Sequence, residues 1–264
     1  MIWNPDPIIF TLGPLELRWY GLLFVSGFLI GFYIMSWMYK REGKDLKQLD
    51  RLLYYMFIGA VIGARLGHVM FYEPEYYLSH PIEILYVWKG GLASHGGTVG
   101  MLLAVYLFQR TAKETYLNII DRLSVPISLG AMSIRLGNFF NSEILGDKTD
   151  SIFGIVFLRV DNIARHPAQL YEAGAYLFTL IVLLILYKTR ANKWADGFMT
   201  GFMFVSIFTL RFLIEFVKQE QTVYSHELPL NVGHLLSIPF IILGLVILYI
   251  SYRNTQKQGA IQNP

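Results

Sequence analysis

Seven stretches of this chain are built almost wholly of apolar residues, and their lengths leave few folds open. Residues 19–39 hold no charged side chain, while 90–109 and 228–252 hold one histidine each. Four more are shorter or interrupted: 52–72 by Arg65, 123–141 by Arg135, 173–187, and 197–217 by Arg211 and Glu215. A bilayer core takes about 20 apolar residues of helix to cross. Inside lipid every backbone polar group must be satisfied within the segment, which favours helices. Composition agrees, with 54% hydrophobic and 16% charged residues and a mean hydropathy of +0.43. The expected fold is therefore all-α: a polytopic integral membrane protein of about seven transmembrane helices, residues 1–264 forming a single membrane domain.

Lysine and arginine set the orientation. Thirteen of them fall in the segments after the first, third, fifth and seventh runs: Lys40, Arg41, Lys44, Lys47, Arg51, Arg110, Lys113, Arg122, Lys188, Arg190, Lys193, Arg253 and Lys257. The opposite side holds five: Lys89, Lys148, Arg159, Arg165 and Lys218. The positive-inside bias puts the C-terminus in the cytoplasm and the N-terminus outside. The longer connections (73–89, 142–170 and 218–233) then lie outside, where a partner would dock. Residues 1–17, with three prolines, read as a short irregular or interfacial segment. No basic n-region precedes the first run, so it is expected to stay in the membrane. The cations form no basic patch, and nothing points to nucleic acid. With no cysteine in the chain, a thiolate metal site or a cysteine nucleophile of its own is excluded.

Polar groups inside these runs carry the chemistry. Arg135-Leu-Gly-Asn138-Phe-Phe-Asn141-Ser-Glu143-Ile-Leu-Gly146 follows twelve uncharged residues. A charged group in a membrane segment is costly and reads as functional by default. Arg65 and Arg211 are two more such arginines, each in its own run. Their economical explanation is a shared anionic ligand, because a guanidinium binds phosphate bidentately and stays charged. Arg211 also has Glu215 one turn on, which offers a structural pair. His95 sits among four glycines in Gly90-Gly91-Leu-Ala-Ser-His95-Gly96-Gly97, where little side-chain bulk surrounds a group suited to proton transfer. Gln169 and Glu172 lie three apart after Arg165-His166-Pro167 and can face one cavity. Tyr20, taken alone, reads as an interfacial aromatic anchor. A weak echo links Gly63-Ala-Arg65-Leu-Gly67-His68 with Ser133-Ile-Arg135-Leu-Gly137-Asn138. Phosphate-loop, zinc His-Glu-x-x-His and Gly-x-Ser-x-Gly motifs are missing from the sequence.

Arg135-Leu-Gly-Asn-Phe through Asn141-Ser-Glu143 and Gly146 resembles the signature of bacterial prolipoprotein diacylglyceryl transferases. Trp19-Tyr20-Gly21, the glycine-rich motif around His95, Arg165-His166-Pro167 through Glu172, and Arg211 with Glu215 extend the resemblance nearly end to end. The resemblance implies a seven-helix enzyme of the bacterial inner membrane. Such an enzyme moves the diacylglyceryl group of phosphatidylglycerol onto the lipobox cysteine of a preprolipoprotein and releases glycerol phosphate. It further implies roles in activity or lipid binding for Tyr20, His95, Arg135, Asn138, Gly146, Arg211 and Glu215. Family members often carry a tyrosine one turn before the arginine that matches Arg211, where this chain has Ile207. That departure shifts weight onto His95 and the arginines.

On this reading the missing cysteine comes with the substrate. A thiol of pKa about 8.5 needs a base to ionise, and His95 is the candidate. The thiolate attacks the glyceryl carbon bearing the phosphate, while Arg135 and Arg211 hold that phosphate as the C–O bond breaks. Asn138 and Glu143 orient them, Asn141 is expected to join them in binding the substrate, and neither cofactor nor metal is required. A transporter of an anionic lipid would use the same arginines without chemistry, and product formation separates the two.

Overall fold

The structure, a computed structural model, describes residues 1–190, 194–219 and 230–262. Most of the expected connection over 218–233 and Lys193 lie outside these residues. The chain divides into two compact units, one of Met1–Ile34 with Asp121–Pro264, the other of Met35–Ile120.

The N-terminal residues form strands rather than an irregular segment. β1 (Ile2–Trp3) leads to a hairpin of β2 (Ile8–Leu12) and β3 (Leu15–Arg18), which runs straight into α1 (Trp19–Arg41). α2 (Leu46–Phe71) follows, its start capped by the Asp45 carboxylate accepting from the Lys47 N–H at 3.0 Å. A short α3 (Pro74–Ser79) and two 3₁₀ turns lead to α4 (Ser94–Ala112) and α5 (Tyr116–Asn141). β4 (Ile155–Phe157) and β5 (Ala164–Arg165) precede α6 (Ala168–Arg190), α7 (Phe198–Ile214) and α8 (Val232–Gln262). The all-α expectation therefore needs a correction: β1 pairs parallel with β4, and β4 antiparallel with β5, in a small three-stranded sheet. Strands two or three residues long leave almost no alternation to read in a sequence.

Among the described residues, α1, α2, α6, α7 with its 3₁₀ extension, and α8 are long and apolar enough to cross a membrane. α4 and α5 cover the two remaining apolar runs, with 19 and 26 residues. Polar residues dilute both: α4 opens Ser-His-Gly-Gly-Thr, and α5 carries Asp121, Arg122 and Arg135.

Within the Met35–Ile120 unit, α2 and α4 meet along small residues four apart. A Cβ on Gly67 would stand 2.8 Å from Gly96 Cα, and one on Gly59 2.7 Å from the Ala104 Cβ. Gly63 and Gly100 face each other just as closely. This is the small-x-x-x-small packing that lets membrane helices bring their backbones together. Gly96, next to His95, thus serves the helix crossing.

In the larger unit, Trp3 fixes β1 to the end of α5, its indole N–H donating to the Phe139 carbonyl at 3.0 Å. Phe139, Leu145, Ile155 and Phe157 form the buried cluster beneath that sheet. At the other end of α5, the buried Asp121 caps α7 from outside: its carboxylate accepts from the N–H of Gly197 at 2.7 Å and of Thr200 at 2.8 Å, and from the Thr200 hydroxyl at 2.5 Å. These are donors that the first turn of a helix leaves unmet. Burial pushes the Asp121 carboxyl up to about 6, against hydrogen bonds that pull it down. A folded-state value above the unfolded one means stability is lost as pH rises from about 4 through 6. Asp121→Asn removes that titration, so its thermal midpoint relative to the parent chain should rise between pH 4.5 and 7. A difference that stays constant over that range would refute the assignment.

Candidate active site

Arg135, Asn138 and Asn141 sit at i, i+3 and i+6 of α5, on one side of the helix. Beyond Asn141 the helix closes with Ser142 in the left-handed region (φ 55°). The Glu143 N–H returns to the Asn138 carbonyl at 2.9 Å. That is a C-terminal cap of the kind glycine usually provides. Ile144 follows, also left-handed (φ 57°), a conformation that a β-branched residue holds only when its surroundings enforce it.

The turn folds Glu143 back over the helix end. Its carboxylate accepts from the Asn138 amide and the Asn141 amide, each at 3.2 Å. Asn138 Oδ1 in turn accepts from Arg135 Nη1 at 3.3 Å. Gln169 on α6 lies wholly buried, its amide N–H donating to the Glu143 carbonyl.

Two more chain segments, at His166 and at 217–219, are pinned around this turn. Gly146 donates to the His166 carbonyl at 2.9 Å, Asp147 to Val217 at 2.9 Å, and Gln219 to Leu145 at 3.1 Å. A Cβ on Gly146 would lie within 2.6 Å of both the His166 and Val217 carbonyl oxygens. Gly146, expected to bind substrate, is thus required at a backbone crossing that carries Lys218 into the site. Tyr20 lays its ring on Gly137, whose added Cβ would meet it at 2.6 Å. More than an interfacial anchor, Tyr20 on α1 packs against α5 at Gly137, which lies between Arg135 and Asn138 in sequence.

A buried ion-pair chain completes the site. Arg135 Nε lies 2.7 Å from Glu172 Oε2, Lys218 Nζ lies 3.4 Å from Glu172 Oε1, and Lys218 is 3.5 Å from Glu215. Glu172 and Lys218 are almost wholly buried. Gly233 makes room for the Glu215 carboxylate, which a Cβ there would overlap. The Arg211–Glu215 pair expected from their spacing is not formed. Glu215 opens the 3₁₀ turn after α7 with its N–H still bonded to the Arg211 carbonyl, and its carboxylate faces Lys218 at 3.5 Å. Arg211, half-buried, has no ion-pair partner among the described residues.

Arg165 and Arg65 prove structural. Arg165 pairs with Asp161 at 2.5 Å, and its guanidinium holds that carboxyl below the usual range. Arg65 spends its guanidinium on backbone carbonyls: Ile84 at 2.9 Å, Gly90 at 2.7 Å, Gly91 at 3.2 Å and Glu83 at 2.5 Å. The Tyr77 ring covers it, 4.8 Å from the centroid. Such a group clamps the loop before α4 and has no edge left for an anion.

His95 belongs to the Met35–Ile120 unit, exposed in the first turn of α4. Its ring stacks on Tyr72 at 5.9 Å and meets Phe71 edge-on at 6.1 Å. It lines an apolar groove of about 760 Å³ along α2 and α4, with Gly63, Gly67, Leu66 and Val99. The remaining expected residues, Tyr20, Arg135, Asn138, Asn141, Glu143, Gly146, Arg211 and Glu215, all belong to the other unit. Lys218 escaped the sequence reading. Its only signal is a cation three residues after Glu215 at the end of an apolar run, which also describes an ordinary loop lysine.

The profile of the prolipoprotein diacylglyceryl transferase family matches residues 7–250. The chain belongs to the prolipoprotein diacylglyceryl transferase family. A phosphatidylglycerol–prolipoprotein diacylglyceryl transferase of Tolumonas auensis is 49% identical, over 97% of this chain and 100% of its own length. The similarly named protein of Chloroherpeton thalassium is 46% identical over 98% of this chain and 97% of its own. That of Bacteroides fragilis is 41% identical over 94% of both. Membership in the transferase family fits a site in which arginine, amides and carboxylates share one buried network.

Proposed function

We propose that this protein transfers the diacylglyceryl group of phosphatidylglycerol to the cysteine thiol of a preprolipoprotein lipobox, the first step of bacterial lipoprotein maturation. The observation that carries this reading is the Arg135 guanidinium, oriented by Glu172 and Asn138 yet keeping Nη2 without a partner among the described residues. With Arg211 it supplies positive charge for a lipid phosphate. The chain crosses the inner membrane seven times as a single transferase domain, N-terminus outside and C-terminus in the cytoplasm.

In the reaction the substrate thiol gives its proton to His95 and becomes the nucleophile. A new C–S bond forms at the glyceryl carbon as its C–O bond to phosphate breaks, and the electron pair leaves on glycerol phosphate. Arg135 and Arg211 stabilise that developing charge. Asn138, Asn141 and Glu143 hold the headgroup side of the site, and Tyr20, Gly146 and Glu215 keep these groups in register. No cofactor or metal takes part in this scheme.

Purified protein mixed with phosphatidylglycerol vesicles and a lipobox peptide should yield a peptide heavier by one diacylglyceryl group. His95→Gln should lower kcat by about 10²-fold or more, the scale of general base catalysis. Unmodified peptide with the parent protein would sink the transferase reading. A fully active His95→Gln protein would sink the base assignment alone.

A further inference from the structure

The hydrogen-bond network around Glu143 forces an imbalance. The Gln169 amide must point its N–H toward the Glu143 backbone carbonyl, because a carbonyl only accepts. Its Oε1 is therefore the atom left over, fully buried and without a partner among the described residues. Asn141 is oriented by the same logic: its amide N–H meets the Glu143 carboxylate, another pure acceptor, and its buried Oδ1 is left over. The Ser142 hydroxyl beside them is also buried and unpartnered, but it can donate or accept. Two oriented amide oxygens and a carboxylate thus make a corner rich in acceptors and short of donors. Asn138 joins this corner to the cation, bonding Arg135 on one side and Glu143 on the other.

The phosphodiester anion of a lipid cannot by itself fill such a corner, since it brings only acceptors. A phosphoglycerol headgroup brings both halves: an anion, and hydroxyl donors a few bonds further on. We propose that Gln169, with Asn141, reads the free hydroxyls of the phosphatidylglycerol headgroup while Arg135 holds its phosphate. Gln169 is then a specificity-determining residue, and the corner selects the lipid by its alcohol as well as by its charge. This inference rests on the transferase reading above.

Phosphatidylethanol is the discriminating probe, because it keeps the phosphodiester charge and lacks the hydroxyls. A site built to bond a substrate hydroxyl rejects the analogue lacking it strongly, so the parent protein should prefer phosphatidylglycerol by about 10²-fold or more in kcat/KM. In Gln169→Met and in Asn141→Leu that preference should shrink at least about tenfold, because a coupled pair loses its interaction only once. A merely structural side chain would slow both lipids by the same factor and leave the ratio untouched. An unchanged ratio in both variants, or a parent protein indifferent to the hydroxyls, would overturn the proposal. Asn141, the more exposed of the two, keeps the test open should Gln169→Met fail to fold. Failure of the transferase reading shows separately, as a parent protein that modifies no peptide with either lipid.

Discussion

Arg135→Lys is expected to lower kcat/KM for diacylglyceryl transfer by about 10²–10³-fold, the scale of losing one charge-stabilising donor in a buried site. The side chain works in three directions. Nε faces Glu172 at 2.7 Å, Nη1 donates to Asn138 at 3.3 Å, and the third edge remains for the substrate phosphate. A lysine ammonium is a single point of charge on a flexible stem and cannot serve three fixed directions together. It can still neutralise Glu172, so the thermal midpoint in detergent should move little while the rate collapses. That split separates loss of phosphate recognition from loss of fold. Initial rates with phosphatidylglycerol and a lipobox peptide measure it, and a lysine variant within threefold of the parent chain would remove Arg135 from the transition state.

The same two measurements distinguish the arginines that looked alike in sequence. Arg65 and Arg135 sit in nearly matching hexapeptides, each with a glycine two residues on. Tertiary surroundings gave them different fates: four loop carbonyls surround Arg65, and a carboxylate and an amide meet Arg135. The second hexapeptide does contain Asn138, but the Glu172 that fixes Arg135 lies 37 residues on, and the partners of Arg65 lie 18 to 26 residues away. Helix positions were far more legible. The run 19–39 became Trp19–Arg41, and 197–217 became α7 with its 3₁₀ extension. Apolar content reports the part of a helix that hydrocarbon can surround. Asp45 starts α2 six residues or more before its apolar run, where the polar first turns belong to water.

The site was legible as a set of residue types and illegible as a network. Arg135, Asn138 and Glu143 stood out because polar groups in an apolar run have few innocent explanations. Lys218 did not, because its carboxylate partner Glu172 lies 46 residues earlier. The error over Arg211 and Glu215 came from overlooking Lys218: the backbone stays helical to Glu215, but its carboxylate faces that buried ammonium instead.

Glu172→Gln should be the most destabilising single change in this network. The carboxylate is fully buried and faces two cations, Arg135 at 2.7 Å and Lys218 at 3.4 Å. Neutralising it leaves those two buried cations with Glu215 as their nearby counter-charge, and Lys218 is already 3.5 Å from that group. Breaking a buried pair by removing one partner costs about 3–5 kcal/mol, because the remaining charge stays desolvated. For a chain of this size that lowers the thermal midpoint by roughly 6–20 °C. The origin of the loss can be checked by removing the stranded charge as well. Glu172→Gln with Lys218→Met leaves Arg135 and Glu215, restores the balance of charge, and should melt above the single variant. Additive destabilisation in the double variant would mean that packing, and not charge, is what Glu172 contributes. The catalytic readout runs the other way for substrate binding. With Glu172 neutral, the local potential is more positive, so KM for phosphatidylglycerol should fall even as kcat drops with the loss of Arg135's orientation. The carboxylate thus weakens the grip on the anionic lipid in exchange for holding the guanidinium in place.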